Sequence, residues 1–370
     1  MMKKVLVLGC TGSIGSSSLD IIRNEPEMFS LCGITAHNSR EKLESLSREF
    51  NCPSLLTSGA SEEDWKNFIS ECRPDIVVNG IAGGAGLLPS KIVLDLGIDL
   101  ALANKETVVM AYPLIKALSE KTGAKIIPVD SEHSAIFSLI NQAGKENVDR
   151  ILITASGGPF RTFSKEQLKD VTLEMALNHP TWKMGPKITI DSSTLANKGL
   201  EVIEASYLFD KPAEKIDVVV HPQSIIHSMV RTNDGMIYAQ ASDPDMKHPI
   251  IGALTYPENV INYLKPFDLF DKELTFFRPR MDDFPLLKYA FESVKKKGSY
   301  PLAFNAANEI AVYAFLEKKI AYCDIAGVTE NVLSKDWSEV PHSFERVFEL
   351  DRKARDIASY FIEKNLLGAR

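Results

Sequence analysis

The sequence is poor in cysteine, in excess positive charge and in long apolar runs. Its five cysteines (Cys10, Cys32, Cys52, Cys72 and Cys323) leave an odd count with no pair at C-x-x-C spacing. That argues against a disulfide framework or a zinc motif and fits reduced cytosolic thiols. Lys plus Arg number 42 against 49 Asp plus Glu, a net charge of −7. A nucleic-acid platform is usually basic, so no nucleic-acid partner is expected. A pocket on an acidic protein can still be locally positive toward a phosphorylated ligand. No apolar run is long enough to span a bilayer. The short run that follows Lys3 and Lys4 breaks at Gly9, too early for a signal peptide. A cytoplasmic protein without a membrane partner is expected. Internal repeats and low-complexity tracts are also lacking.

What is present is a globular composition, 45% hydrophobic and 25% charged over 370 residues, enough for two or three domains. Short apolar runs at Lys3–Leu8, Leu31–Ala36, Ile76–Asn79, Asp99–Ala103 and Lys125–Val129 read as buried strands. Helical spacing lies between them, at Ile14–Arg23, Glu41–Phe50, Glu62–Glu71 and Leu114–Lys121. This alternation predicts an α/β fold with a doubly wound sheet over residues 1–149. Residues 150–263 read as a second α/β domain. It has strands at Arg150–Ala155, Val218–His221, Ile225–Arg231 and Met236–Ala241, the last two joined by the hairpin signal Thr232-Asn233-Asp234-Gly235. Residues 264–284, with five phenylalanines, read as a packed linker, and 285–370 as a small helical domain.

Gly9-Cys10-Thr11-Gly12-Ser13-Ile14-Gly15 follows the first strand and opens a helix. Glycines there let the backbone approach a pyrophosphate, and the helix N-terminus offers N–H groups to it. The spacing is G-x-x-G-x-x-G, so strand-to-helix context carries the reading of a dinucleotide site. The second strand ends in Ala36-His37-Asn38-Ser39-Arg40, with no acid to hold the ribose hydroxyls of NAD. Asn38 and Arg40 can meet a 2′-phosphate, which favours NADP; a solvated loop with Ser39 as helix cap is the plainer reading. Asn104-Lys105-Glu106 stands beyond another strand end, where cofactors sit in such sheets.

Asp130-Ser131-Glu132 also follows a strand. If extended geometry continues, Asp130 and Glu132 face the same way and call for a hard cation such as Mg²⁺ or Mn²⁺. A helix cap by Asp130 or Ser131 explains the same residues equally well. His179-Pro180-Thr181-Trp182-Lys183-Met184-Gly185 has the look of a lid, or of a loop anchored by its tryptophan. Asp191-Ser192-Ser193 reads as the cap of a following helix, on which Asn197, Lys198 and Glu201 form one polar stripe. Such a set suits a phosphate dianion, and Glu201 can add a third carboxylate for a metal; the plainer reading is a Lys198–Glu201 surface ion pair. Ser156-Gly157-Gly158 is a further phosphate candidate, while His227 read alone is a structural histidine.

Together the blocks GCTGSIG, LANKE, PVDSEHSAIF, SGGPF, HPTWKMGPKITIDSSTLANKGLEVIEA, HPQSIIHSMV and DPDM resemble the 1-deoxy-D-xylulose 5-phosphate reductoisomerase family nearly end to end. The resemblance implies an N-terminal Rossmann domain that binds NADPH, a central catalytic domain that dimerises, and a C-terminal helical domain. It implies Asp130, Glu132 and Glu201 as ligands of Mg²⁺, Mn²⁺ or Co²⁺. Ser156, Ser192, Asn197 and Lys198 become phosphate contacts, and Ser131 touches the substrate backbone. His179, Trp182 and Met184 fall in the lid. His227 matches a histidine important for activity, so Glu132, Lys198, His179 and His227 form the implied catalytic set. Thr11, Gly12, Ser13, Ile14, Asn104, Lys105, Glu106 and Met246 correspond to cofactor contacts, with Met184 nearby. The family often carries A-G-K-N where this chain has Ala36-His37-Asn38, so Arg40 is the candidate to replace the missing lysine. The implied activity rearranges and reduces 1-deoxy-D-xylulose 5-phosphate as a homodimer. Another NADP-dependent dehydrogenase, or a non-catalytic NADPH-binding regulator, would keep the glycine turn without needing all three carboxylates.

Overall fold

The computed structural model describes residues 2–367. The chain forms two compact units that do not follow it linearly. The first takes residues up to Thr107, Tyr112–Ser134 and Asp245–Asp268; the second takes Val108–Ala111, Ala135–Pro244 and the chain from Leu269 onward.

The sheet of the first unit has six strands: β1 (Lys3–Leu8), β2 (Phe29–Ala36), β3 (Ser54–Leu56), β4 (Ile76–Asn79), β5 (Asp99–Leu102) and β6 (Ile126–Pro128). All pairs are parallel, in the order β3-β2-β1-β4-β5-β6. Val5 to Leu8 are fully buried, as a strand covered on both faces requires. Helices α1 (Ser13–Asn24), α2 (Arg40–Phe50), α3 (Glu62–Cys72), α4 (Leu87–Asp95) and α5 (Lys105–Thr122) alternate with the strands, and α6 (Ser131–Ala143) starts after β6. The expected doubly wound sheet is therefore present. Its strand order reverses between β1 and β4, the place where such sheets receive ligands.

Two elements carry no readable sequence signal. β3 is a three-residue edge strand, and α4 buries residues all round, so neither shows an amphipathic period. Helix α5 begins nine residues earlier than the spacing suggests and is kinked at Ala111, two residues before Pro113. The segment Asp245–Asp268, with α10 (Lys247–Thr255), is tied into the first unit by polar contacts: Lys247 pairs with Asp20 at 2.9 Å, and Tyr263 donates its hydroxyl to Asp20 at 3.0 Å.

The second unit holds a mixed sheet of β7 (Val148–Ala155), β8 (Ile216–Val220), β9 (Ile226–Thr232) and β10 (Ile237–Ala241), in the order β10-β9-β7-β8. The predicted hairpin joins β9 to β10, with Gly235 at φ +87° and Thr232 N–H donating to Met236 O at 2.9 Å. Helices α7 (Leu173–Ala176), α8 (Pro186–Ser193), α9 (Ala196–Leu208), α11 (Pro285–Lys296), α12 (Tyr300–Leu316), α13 (Asp324–Leu333) and α14 (Phe344–Phe361) complete it. Within residues 264–284, Phe277 exchanges both backbone hydrogen bonds with Val220, docking that stretch on β8.

The expectation for Asp191-Ser192-Ser193 is corrected here. These residues are the last turn of α8, not the cap of α9. Pro186 at the first turn starts a short helix, and the Lys187–Asp191 pair at 3.0 Å spans one turn of it. The chain then turns at Leu195, held left-handed at φ 60°, before α9 begins.

Among the described residues no helix is long and apolar enough to cross a membrane.

Candidate active site

The glycine turn after β1 is shaped by close backbone approach. Gly9 has φ +76°, and a Cβ on it would stand 3.2 Å from the Gly80 carbonyl at the end of β4. A Cβ on Gly15 would stand 2.3 Å from Gly9 O. Gly12 is the N-cap of α1 and, lacking a side chain, makes no side-chain cap bond to the first N–H groups of this helix. Thr11 is half-buried, Gly12 and Ser13 are exposed and Ile14 is half-buried. A dipolar helix end of this kind accepts a pyrophosphate.

His37, Asn38, Ser39 and Arg40 are all exposed beyond β2. Ser39 stands at the N-cap of α2 but makes no side-chain cap bond, so the plain capping reading fails. The next basic residue, Lys42, reaches back and donates from Nζ to Thr11 O at 3.3 Å. Lys42 was not singled out in the sequence, because only the folded turn brings α2 beside Thr11.

The Asn104-Lys105-Glu106 segment is buried and internally bonded. Asn104 caps α5 by accepting from Thr107 N–H at 2.9 Å, and its amide donates to Ile81 O, Gly83 O and Glu106. Glu106 in turn accepts from Gly83 N–H at 3.2 Å. Two of these side chains therefore shape the Ile81–Gly83 loop. The third, Lys105, carries its ammonium to the Asp130 carboxylate. Met246 is half-buried at the start of α10, in the first unit.

The strand-face reading of Asp130 and Glu132 does not hold. β6 ends at Pro128 and α6 begins at Ser131, so the extended period stops before these residues. Asp130 instead caps α6: its Oδ1 accepts from Glu132 N–H at 3.1 Å and His133 N–H at 3.3 Å. His133 Nδ1 also lies 2.9 Å from that oxygen, and His133 is fully buried. The sequence reading missed His133; only the helical turn puts residue i+3 back on the cap. Glu132 is half-buried and accepts from the Ser131 hydroxyl at 2.6 Å.

In the second unit, Gly157 and Gly158 have φ of +81° and +68°, and Gly158 N–H donates to Ser156 Oγ at 3.2 Å. A Cβ on Gly158 would meet Ser192 O at 2.8 Å, so this glycine lets the turn close on the end of α8. His179 bridges the two serines: its Nε2 is 3.1 Å from Ser156 Oγ and 3.1 Å from Ser192 Oγ. Its Nδ1 accepts from the backbone N–H of Thr181 at 3.1 Å and of Trp182 at 2.9 Å. Nε2 therefore carries the ring proton and is the donor toward the serines. Burial, and then the Lys198 charge, push the imidazole down to about 4.

Glu201 is fully buried, which corrects the surface reading of its pair with Lys198. Its carboxylate accepts from Asn197 Nδ2 at 2.6 Å and lies 2.7 Å from Lys198 Nζ. His227, buried on β9, bonds Ser242 Oγ through Nε2 at 2.8 Å, and its ring centroid is 6.3 Å from that of Trp182. Trp182 and Met184 are half-buried in the loop before α8.

A buried carboxylate needs a counter-charge. Asp130 and Glu201 each meet a lysine ammonium, and the oxygens they offer are of the type that Mg²⁺ and Mn²⁺ take. Each of them, within its own unit, is a donor that suits a hard divalent cation.

A family model described as 1-deoxy-D-xylulose 5-phosphate reductoisomerase matches residues 5–66 and 55–112. Models of the family's C-terminal domains match 126–209 and 241–357. The chain is 51% identical to the 1-deoxy-D-xylulose 5-phosphate reductoisomerase of Treponema denticola, with 96% of each chain covered. It is 46% identical to that of Chlorobaculum tepidum, with 98% of this chain and 100% of the relative covered. A crystal structure of DOX-P reductoisomerase in complex with NADPH, fosmidomycin and magnesium is 36% identical, covers 98% of both chains and superposes with a TM-score of 0.90. The Zymomonas mobilis enzyme in complex with NADPH is 39% identical, with 98% and 100% covered and a TM-score of 0.87.

Proposed function

The chain belongs to the 1-deoxy-D-xylulose 5-phosphate reductoisomerase family, and from that premise we propose how its own residues carry out the family's reaction. The protein is an NADPH- and divalent-metal-dependent oxidoreductase that converts 1-deoxy-D-xylulose 5-phosphate to 2-C-methyl-D-erythritol 4-phosphate, in isoprenoid biosynthesis. The observation that carries the site reading is the donor cluster of Ser156, His179 and Ser192, which suits a phosphate dianion.

Ser156, Ser192, Asn197 and Lys198 hold the substrate phosphate. His179, as a neutral imidazole, donates into the same cluster from Nε2. Its Nδ1 pins Thr181 and Trp182, so the 179–185 lid is folded around the ring that lines the phosphate site. With the phosphate fixed, fragments formed in the rearrangement stay in register and the second step remains intramolecular in effect. Ser131 positions the substrate backbone, and Trp182, with its ring near that of His227, is a residue that excludes water. Asp130, Glu132 and Glu201 are the residues that would hold the cation, with Lys105, Lys198 and His133 setting their charge and orientation. When bound, the cation supplies a Lewis acid for the substrate oxygens and NADPH supplies the hydride. Thr11, Gly12, Ser13 and Ile14 cradle the pyrophosphate of NADPH; Arg40 and Lys42 meet its 2′-phosphate, with Asn38 beside them. Asn104 and Glu106 keep the Ile81–Gly83 loop in shape, and Met184 and Met246 line the nicotinamide end.

The decisive assay follows NADPH oxidation with 1-deoxy-D-xylulose 5-phosphate, with and without Mg²⁺ or Mn²⁺, and again with NADH. Oxidation is expected only with metal and with a strong preference for NADPH. Removing both Arg40 and Lys42 charges by substitution to Ala should erode that preference by roughly tenfold or more. No oxidation by a folded, metal-loaded, NADPH-binding protein would remove this substrate.

His179 gives a pH signature. Its folded pKa lies near 4, below the ordinary 6.5. The unfolded chain takes up the proton first, so stability contributed by the neutral ring is present above about 6.5 and is lost as pH falls toward 4. A ring-proton NMR titration should place the His179 midpoint near 4; a midpoint near 6.5 would mean that the ring is not buried beside Lys198.

A cytoplasmic homodimer completes the reading. Every residue of β10 is exposed, and Met236, Ile237 and Tyr238 are 59%, 52% and 50% exposed at the free edge of the second sheet. An apolar open edge is a liability unless another chain covers it. Sedimentation equilibrium should give twice the 41.0 kDa chain mass; a monomer would contradict this.

A further inference from the structure

Ser192 is held from behind. It is the middle residue of the last turn of α8, and the residues on both sides of it are anchored to the C-terminal helices of the same unit. On one side, Asp191 is 1% exposed, with its carboxylate at the C-terminal end of α8. Both burial and the helix dipole disfavour a negative charge there. It is held by Lys187 at 3.0 Å and by Asn308 of α12, whose Nδ2 donates to Oδ1 at 2.8 Å. On the other side, the Ser193 carbonyl accepts from the Tyr322 hydroxyl at 2.6 Å.

Tyr322 lies between α12 and α13 and is nearly buried. Its ring meets Phe160 edge-on at 5.3 Å and Phe315 at 5.9 Å. Phe160 closes the segment that starts at Ser156. One side chain thus touches both stretches of chain that supply serines to the His179 cluster. The two stretches also meet directly, at Gly158 and Ser192 O.

We propose that Tyr322 and Asn308 are positioning residues that set the spacing between Ser156 and Ser192, so that the C-terminal helices act as the template of the phosphate grip. The inference rests on the reading of Ser156 and Ser192 as phosphate contacts. Neither Tyr322 nor Asn308 touches the substrate; each acts through a neighbour of Ser192. An ordinary packing role predicts lost stability, whereas a positioning role predicts weaker hold on the phosphorylated substrate at unchanged cofactor affinity.

The test is a double-mutant cycle on the full chain with Mg²⁺ and NADPH. Ser192→Ala should raise KM for 1-deoxy-D-xylulose 5-phosphate. Tyr322→Phe, which removes one hydroxyl and keeps the ring, should raise it about fivefold to tenfold, with the NADPH Kd unchanged. The double variant should be no worse than Ser192→Ala alone, because Tyr322 acts through that serine. Asn308→Ala should behave the same way and serves if Tyr322→Phe does not fold. A KM left unchanged in Tyr322→Phe and Asn308→Ala, or effects that multiply with Ser192→Ala, would overturn the proposal and leave the grip standing. A KM left unchanged in Ser192→Ala would remove the grip reading, and this inference with it.

Discussion

Glu201→Gln is expected to cut turnover by on the order of 10³-fold or more while NADPH still binds. Glutamine has the shape of glutamate and keeps an acceptor for Asn197, which bonds Oε1 at 2.6 Å. What it loses is the charge 2.7 Å from Lys198 Nζ, in a place where Glu201 is fully buried. Two consequences follow, and they separate. Breaking a buried ion pair costs about 3 kcal/mol of stability, which a thermal melt reads. Losing a carboxylate proposed to hold the cation removes Mn²⁺ affinity, which electron paramagnetic resonance reads without any turnover. The glycine turn lies in the first unit and Glu201 in the second, so NADPH fluorescence titration should be unchanged at temperatures below the melt. Turnover within tenfold of the wild type, with Mn²⁺ still bound, would take Glu201 out of the metal site.

The features legible in the sequence are those whose chemistry is local. β1 reads as a buried strand because Val5 to Leu8 are apolar without a break, and both faces of that strand are covered. The polar stripe of α9 reads correctly because Asn197, Lys198 and Glu201 lie within about one helical turn, and Asn197 and Lys198 both meet the Glu201 carboxylate. The features that escape are those set by where an element stops. Pro128-Val129-Asp130-Ser131 is compatible with a strand that runs on or with a helix that starts. The structure chooses the helix, which turns Asp130 into a cap and brings His133 to it. At 191–193 the same ambiguity goes the other way, because a cap before α9 and a last turn of α8 use the same serines. The surface reading of the Lys198–Glu201 pair failed for a different reason. Burial of Glu201 is a property of tertiary packing, and no local pattern reports that. The return of Asp245–Asp268 to the first unit rests likewise on long-range contacts such as Tyr263 to Asp20.

Gly12→Ala and Gly15→Ala should both weaken NADPH binding, but for opposite reasons. A Cβ on Gly15 would stand 2.3 Å from Gly9 O, 2.5 Å from Cys10 Cα and 2.7 Å from Cys10 C. All three are backbone atoms, so nothing flexible can yield, and α1 must move off the end of β1. That overpacking should cost about 3 kcal/mol, and the melting temperature should fall with cofactor affinity. A Cβ on Gly12 meets only Gly9 O, at 3.5 Å, an ordinary contact, and Gly12 sits at φ −80°, which alanine adopts freely. Gly12→Ala should therefore melt within about 0.5 kcal/mol of the wild type. Its methyl instead projects at an exposed helix N-terminus that no side chain caps, into the space proposed for the pyrophosphate. NADPH should bind roughly tenfold or more weakly, because a methyl in place of hydrogen both crowds the phosphate and shields the N–H groups that would receive it. Reduced affinity without reduced stability is the signature of a ligand contact and cannot come from a structural turn. If Gly12→Ala binds NADPH as tightly as the wild type, the glycine turn serves helix packing through Gly9 and Gly15 alone, and the cofactor phosphates lie elsewhere.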